Sequence, residues 1–452
     1  MELTYKVKDK PKFGAMLVFA LQQLLAILAA TIAVPTIVGN GMDTAAALFG
    51  AGVGTLVYLL FTGFRSPVFL GSSFAFIGSM CAAFAGAGSV VALGYLGLVI
   101  GAMFAGLVYV VIALIVKLAG VKWISRLMPA VVIGPTVSII GLSLAGNAIG
   151  DAFKGKVLDA AGTSGANPYI ALVCALVTLF TVVLASVYGK KTARLIPFII
   201  GILAGYAVAA IFTVIGINTG NDALKIINFD AFKGLKIFSV PDFTLIEAFK
   251  GFEHLSGSYI ATVAVAYIPV AFVVFAEHIA DHKNLSSIIG SDLLEDPGLH
   301  RTLLGDGVGS IAGAIFGGCP NTTYGESVGC VAITGNASVV TIACTAVMAM
   351  VISFFGPFVT FLASIPNCVM GGVCITLYGF IAVSGLKMIQ NVDLGDNKNL
   401  FVVAVILICG IGGMSVSFGN VTITEIACAL ILGIVTNVLV NIKCKKCNKS
   451  DK

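Results

Sequence analysis

The sequence predicts an all-α polytopic membrane protein of about fourteen spans, arranged as two inverted repeats of seven. Short extended segments are expected before the half-helices of spans 3 and 10. Three observations predict it. The 452 residues are 58% hydrophobic and 10% charged, with mean hydropathy +1.06, whereas a soluble domain carries about a quarter charged residues. The apolar residues fall in runs of roughly 18–25, the length that crosses a ~30 Å hydrocarbon core. The longest loop, residues 221–256, divides those runs into two sets of seven, and an odd number per set turns the second copy over.

The first run begins at Phe13, after MELTYKVKDKPK. It is too long for a signal h-region and no A-x-A-like site closes it, so it reads as a retained span. The stretches begin near residues 13, 44, 68, 88, 127, 167, 194, 257, 301, 322, 337, 366, 399 and 421. Pro and Gly punctuate many of them, which neighbouring helices tolerate in a bundle. With a cytoplasmic N-terminus, strict alternation leaves only Lys154, Lys156, Lys225, Lys233, Lys236 and Lys250 of the 26 basic residues outside. Four of these lie in the long loop, where the charge rule counts weakly. Both termini are therefore expected in the cytoplasm, with the chain multi-pass in the cell membrane. The net charge of +5 reflects loop and tail lysines and implies no nucleic-acid partner.

Nine of the 11 cysteines lie within or beside apolar runs, where a thiol behaves as a small hydrophobe. Cys444 and Cys447 form a CxxC in the basic tail (443–452). Zinc would need two further ligands and none stand nearby, so reduced thiols are expected and no metal or cofactor.

Spans 3 and 10 are unlike the rest. The third opens SPVFLGSSFAFIGSM (66–80) and the tenth GGCPNTTYGESVGCVAITG (317–335). Each has a proline near its start, passes through a short extended-looking piece, and becomes an apolar segment too short to cross alone. Two such segments meeting at mid-membrane would aim unsatisfied N–H groups at one point, where helix N-termini bind ligand oxygens. The alternative is two structural kinks without a ligand.

Carboxylates accompany them. A charged side chain at the bilayer centre costs at least ~2.5–3.5 kcal/mol, so intramembrane acids mark functional sites. In the eighth span, SYIATVAVAYIPVAFVVFAEHIADHKNL, Glu277 follows some twenty largely apolar residues and Asp281 lies one turn later on the same face. Glu326 opens the tenth half-helix. For Glu277 and Asp281 the alternative is that the helix has already reached the interface, since His282, Lys283 and Asn284 follow. Backbone N–H groups seek carbonyl oxygens while carboxylates seek N–H donors or protons. A flat neutral ligand with C=O and N–H edges satisfies both sets, as nucleobases do. Protons also fit, because burial disfavours the charged carboxylate. His278 and His282 form an i, i+4 pair that reads as ordinary satisfied or solvated histidines rather than zinc ligands.

With these residues in hand, the chain resembles the nucleobase–ascorbate transporter family, also called nucleobase:cation symporter 2, and within it the bacterial uracil permeases. The likeness runs almost end to end, through LQQLLAILAATIAVP (21–35), LGSSFAF (70–76), AEHIADH (276–282), DLLEDPGLHR (292–301) and the signature ESVGCVAITG (326–335). The signature includes Ser327, Gly329 and Thr334. The resemblance implies a core domain of spans 1–4 and 8–11 (residues 1–120 and 257–364) and a gate domain of spans 5–7 and 12–14 (121–220 and 365–442). The loop 221–256 would be extracellular and the two domains would move past each other as an elevator, with dimerisation through the gate. It implies proton-coupled uptake of a nucleobase, uracil above xanthine or another purine base. Glu277 and Glu326 would hydrogen-bond the base, and the amides of Phe74 and Gly325 would take its carbonyls. Ala30, Tyr324 and Ser73 would complete the site, Tyr378 would touch it from the gate, and Glu277, Asp281 and Glu326 would carry proton coupling. Three positions depart from the family: Ser327 replaces an asparagine, Asp281 a histidine and Gln23 a first-span histidine.

Three other functions compete. An anion exchanger or channel of the same architecture conflicts with two acids at the site. An intramembrane enzyme lacks an HExxH or a Ser/His/Asp set at one depth, and a non-transporting sensor lacks a cytoplasmic domain.

Overall fold

The computed structural model describes residues 3–120, 129–155, 165–190, 192–418 and 421–442. Lys122, Arg126, Lys156, Lys191, the start of the fifth span near residue 127, and the basic tail with Cys444 and Cys447 lie outside the described residues.

The first half comprises α1 (Phe13–Val38), α2 (Thr44–Phe61), strand β1 (Leu70–Ser72), α3 (Ile77–Ala87) and α4 (Val91–Ala119). A helix broken into α5 (Ala130–Ser143) and α6 (Ala145–Ala152) follows, then α7 (Pro168–Tyr188) and α8 (Pro197–Thr219). The second half comprises α9 (Thr244–Lys250), α10 (Gly257–Ile289), α11 (Leu299–Gly317), strand β2 (Asn321–Thr323), α12 (Gly325–Thr334) and α13 (Val339–Ile352). It continues through α14 (Gly356–Ser364), α15 (Asn367–Met388), α16 (Asn397–Ile411), strands β3 (Val416–Phe418) and β4 (Val421–Ile423), and α17 (Glu425–Val440). Side-chain caps start several of them. Asp43 accepts from Ala45 N at 2.9 Å, Ser256 from Tyr259 N at 3.2 Å and Asp396 from Lys398 N at 3.0 Å, each satisfying an otherwise orphaned N–H.

Among the described residues, eight helices are long and apolar enough to cross a membrane. Four shorter apolar helices, α11 and α12 supply the other predicted spans. This is a multi-pass membrane protein. Helices α7 and α8 bury only 28% and 33% of their most apolar windows, which leaves apolar side chains such as Phe180 and Ile211 facing outward as lipid neighbours.

Two groups of helices pack densely within themselves and sparsely against each other. One unites α1–α4 with α10–α13, the other α5–α8 with α15–α17. In the first group α11 lies against α2 at the closest approach glycine permits. A Cβ on Gly50 would stand 2.5 Å from Gly313 O, and one on Gly54 would stand 2.7 Å from Gly309 O. Small residues spaced by four let membrane helices approach this closely, where lipid supplies no hydrophobic drive.

Local structure departs from expectation in four places. The fifth span breaks near Leu144, and the stretch from residue 337 breaks before Pro357 into α13 and α14. The loop 221–256 is partly helical, and α9 packs on α4. Within the stretch SVSFGNVTIT (415–424), strands β3 and β4 pair antiparallel, with Val416 opposite Ile423, before α17 begins. Its alternating β-branched residues around Gly419–Asn420 are a hairpin signal masked by its position at the edge of an apolar run.

Candidate functional site

Strands β1 and β2 cross as an antiparallel pair between the two half-helices. Leu70 faces Thr323, Gly71 faces Thr322 and Ser72 faces Asn321, and Ser73 N donates to Pro320 O at 2.9 Å. The extended backbone follows from the β-branched and small residues around each proline, which disfavour helix and leave ladder partners. Tyr324 stitches the pair, donating from its hydroxyl to Ser72 O at 2.8 Å. Its ring lies flat on Gly71, where any side chain would collide with it.

Beyond this crossing each chain turns into helix. Residues 74–76 form one 3-10 turn leading into α3, and α12 starts at Gly325. The N–H groups of Phe74 and Gly325 are the first of their helical turns, so neither has an intrahelical acceptor. Glu326 sits in the first turn of α12, where the helix dipole favours negative charge.

A cavity of about 320 Å³ opens here, lined by Glu277, Asp281, Gly325, Glu326 and Gly329 from the first helix group. From the second group it meets Val137, Phe198, Leu377, Phe380 and Ile381, with Arg194 and Met388 farther along. A smaller pocket of about 40 Å³ shares Glu277, Gly325, Glu326 and Ile381 and adds Ser73, Phe74, Thr323, Tyr324 and Ile140. Glu277 and Glu326 thus face one space, as do the first residues of both half-helices. Ser73 Oγ is buried without a hydrogen-bond partner among the described residues. Asp281 is held by Thr323 Oγ1, which donates to its Oδ2 at 2.7 Å. That bond ties α10 to strand β2.

The remaining candidates fall around this space. Ala30 is buried in α1 and lines neither pocket. Tyr378 meets Phe74 edge-to-face, ring centroids 5.8 Å apart, so its contact with the site passes through that ring. Thr334 donates to Cys330 O at 2.7 Å at the far end of α12 and supports that helix rather than lining the cavity. Ser327 Oγ receives bonds from Phe69 N at 3.0 Å and Gln23 Nε2 at 2.5 Å. Two of the departures from the family pattern, Gln23 and Ser327, therefore touch each other. The longer amide on α1 reaches the short hydroxyl on α12, and together they hold the backbone entering β1.

His278 and His282 are fully buried on the face of α10 turned from the cavity. His278 Nδ1 lies 2.7 Å from Asp306 Oδ2 and its Nε2 lies 3.0 Å from Thr302 Oγ1. His282 Nδ1 donates to His278 O at 2.8 Å, and its Nε2 lies 2.7 Å from Tyr58 OH. They anchor α10 to α11 and α2 and so fix which way Glu277 and Asp281 point. Sequence reasoning missed Asp306, Arg194 and the apolar side chains that the second helix group contributes. Asp306 was open to the test that picked out Glu277, an acid within a span, because it lies in the apolar stretch beginning near residue 301.

A family profile described as the permease family, that of xanthine and uracil permeases, matches residues 14–418. The chain belongs to the nucleobase–ascorbate transporter family. It is 38% identical over 436 residues to the uracil permease of Bacillus caldolyticus, covering 96% of this chain and 94% of that one. It is 34% identical over 430 residues to the uracil permease of Escherichia coli strain K12, covering 95% and 92%. Among solved structures, the transmembrane domain of the cyanobacterium bicarbonate transporter BicA aligns with TM-score 0.64 at 17% identity, over 96% of this chain and all of that chain. The murine Solute Carrier 26 family member A9 anion transporter in the inward-facing state aligns with TM-score 0.64 at 14% identity, over 96% and 69%. At such identities the likeness is one of fold, the inverted-repeat architecture of this permease.

Proposed function

We propose that this permease takes up uracil across the cell membrane together with protons. The observation that carries the reading is the convergence of two glutamates and two free helix N-termini on one small pocket. Uracil presents two carbonyls and two N–H groups around a flat ring. In the proposed complex Glu277 and Glu326 accept from its N–H edges, and the amides of Phe74 and Gly325 donate to its carbonyls. Ser73 Oγ supplies a further polar contact. Tyr324 walls the site through the strand crossing, and Tyr378 bears on it through Phe74. The uracil-permease names of the relatives support this base over xanthine. An anion would satisfy the amides but be repelled by both acids, so the architecture shared with anion transporters carries a different ligand here.

Glu277, Asp281 and Glu326 share a confined space, and ionised carboxylates there repel one another. Each is a place to hold a proton and release it with the base. The two helix groups act as core and gate in this reading. The substrate elements lie on the core (1–120 and 257–364), and an apolar wall including Ile140 and Ile381 lies on the gate (121–220 and 365–442). Sliding of core against gate would carry the pocket across the membrane. The cavity, extending to Arg194, would then open to the cytoplasm, the side the basic loops assign to both termini. The loop 221–256 would face outside, and two copies would pair through their gates.

Thermal-shift measurement of the purified protein against a nucleobase panel tests the reading. Stabilisation grows as RT ln(1 + [L]/Kd), so uracil is expected to raise Tm most. A larger shift with xanthine, or none with any base, would overturn it.

A further inference from the structure

Behind the pocket, on the opposite face of α10, lies a second ionisable cluster that substrate binding does not use. Asp306 on α11 is fully buried. One carboxyl oxygen meets His278 Nδ1 at 2.7 Å, while Oδ1 has no hydrogen-bond partner among the described residues. No Lys or Arg among the described residues forms an ion pair with it. Among the described ionisable groups only His278 of α10 contacts it, while Glu277 and Asp281 on the far side of α10, Tyr109 of α4 and Tyr58 of α2 lie near enough to feel its charge. None of these is a fixed cation.

The two histidines differ in what they can do with a proton. His282 must donate its Nδ1–H to the carbonyl of His278, and its Nε2 lies 2.7 Å from Tyr58 OH, which also donates to Ser66 Oγ at 2.7 Å. That ring is satisfied as it stands. His278 instead faces a carboxyl on one side and, at 3.0 Å on the other, Thr302 Oγ1, whose own proton goes to Leu299 O at 3.1 Å. A proton between Asp306 and His278 can reside on either, as Asp–H with neutral imidazole or as carboxylate with imidazolium. Without that proton an ionised carboxylate with an unpaired oxygen would stand in a dry interior, at a cost of several kcal/mol.

We propose that the Asp306–His278 pair is a second proton-holding site of this permease, set back to back with the substrate acids on the same two turns of α10. Residues 277 and 281 face the cavity, while 278 and 282 face α11 and α2. Charge at Glu277 and charge at Asp306 therefore repel through the width of one helix. The two sites titrate as a coupled set rather than singly. Loading the cavity changes how tightly the pair holds its proton. His278 and Asp306 act as positioning and proton-storing residues and touch no substrate.

The inference rests on the proton-coupled reading above, and two assays on the full chain in proteoliposomes separate the two. One follows exchange of labelled for unlabelled uracil, which needs no net proton movement. The other follows accumulation driven by an acidic exterior. For Asp306→Asn, accumulation is expected to fall at least ~10-fold and lose its dependence on external pH, while exchange stays within ~3-fold of wild type. Accumulation with the wild-type pH profile, or equal loss of both activities in folded protein, would overturn the proposal. If Asp306→Asn yields no folded protein, His278→Gln decides through the pH profile: glutamine leaves the proton on Asp306 alone, so the pH dependence of accumulation is expected to shift, and an unshifted profile would overturn the proposal. Wild-type protein that exchanges uracil but never accumulates it on a pH gradient would instead overturn proton coupling itself.

Discussion

Alanine in place of Glu277 is expected to abolish measurable uracil binding, read as loss of the uracil-induced rise in Tm of the purified protein. The side chain lies where the cavity and the small inner pocket join. A hydrogen bond to an ionised group contributes about 1.5–3 kcal/mol, and an N–H of the base left facing apolar wall costs a further ~1–3 kcal/mol. Since each 1.4 kcal/mol is tenfold in affinity, the combined loss is on the order of 10²–10⁴-fold. The fold should survive, because among the described residues Glu277 makes no hydrogen bond or ion pair that holds α10 in place, while His278 and His282 do. Wild-type affinity in Glu277→Ala would remove it from the site.

Glu326→Gln is expected to weaken uracil binding by roughly 10- to 100-fold and to shift preference toward purine bases. The substitution keeps size and shape but replaces an acceptor oxygen with an NH₂ donor, which meets the base's N–H head on. An amide that presents both a donor and an acceptor suits a purine edge instead. Removing the charge also removes its favourable interaction with the N-terminus of α12, so a loss of about 0.3–1 kcal/mol in stability accompanies the change. Competition of labelled uracil by unlabelled uracil and xanthine reads both effects. Unchanged uracil affinity and unchanged selectivity would contradict the role.

Much of this was legible in the sequence because membrane proteins announce their spans by length and apolarity. The half-helices of spans 3 and 10 were readable because proline, β-branched residues and a polar run cannot occupy lipid without a partner. Glu277, Asp281 and Glu326 stood out against apolar neighbours for the same reason. What stayed hidden was tertiary. Gln23 and Ser327 are 304 positions apart in sequence, and no periodicity tells that one reaches the other. The hydrophobic residues that the second helix group turns toward the pocket, such as Ile140 and Ile381, look like any lipid-facing side chain until the helices are packed.

The central claim is that one flat base lies between two helix N-termini and two carboxylates. A structure of the protein with uracil bound tests it most directly. The account predicts the ring in the small pocket, its carbonyl oxygens within hydrogen-bond distance of the Phe74 and Gly325 amides and its N–H groups on Glu277 and Glu326. Density for the base elsewhere, or a ring in this pocket touching neither glutamate, would contradict it.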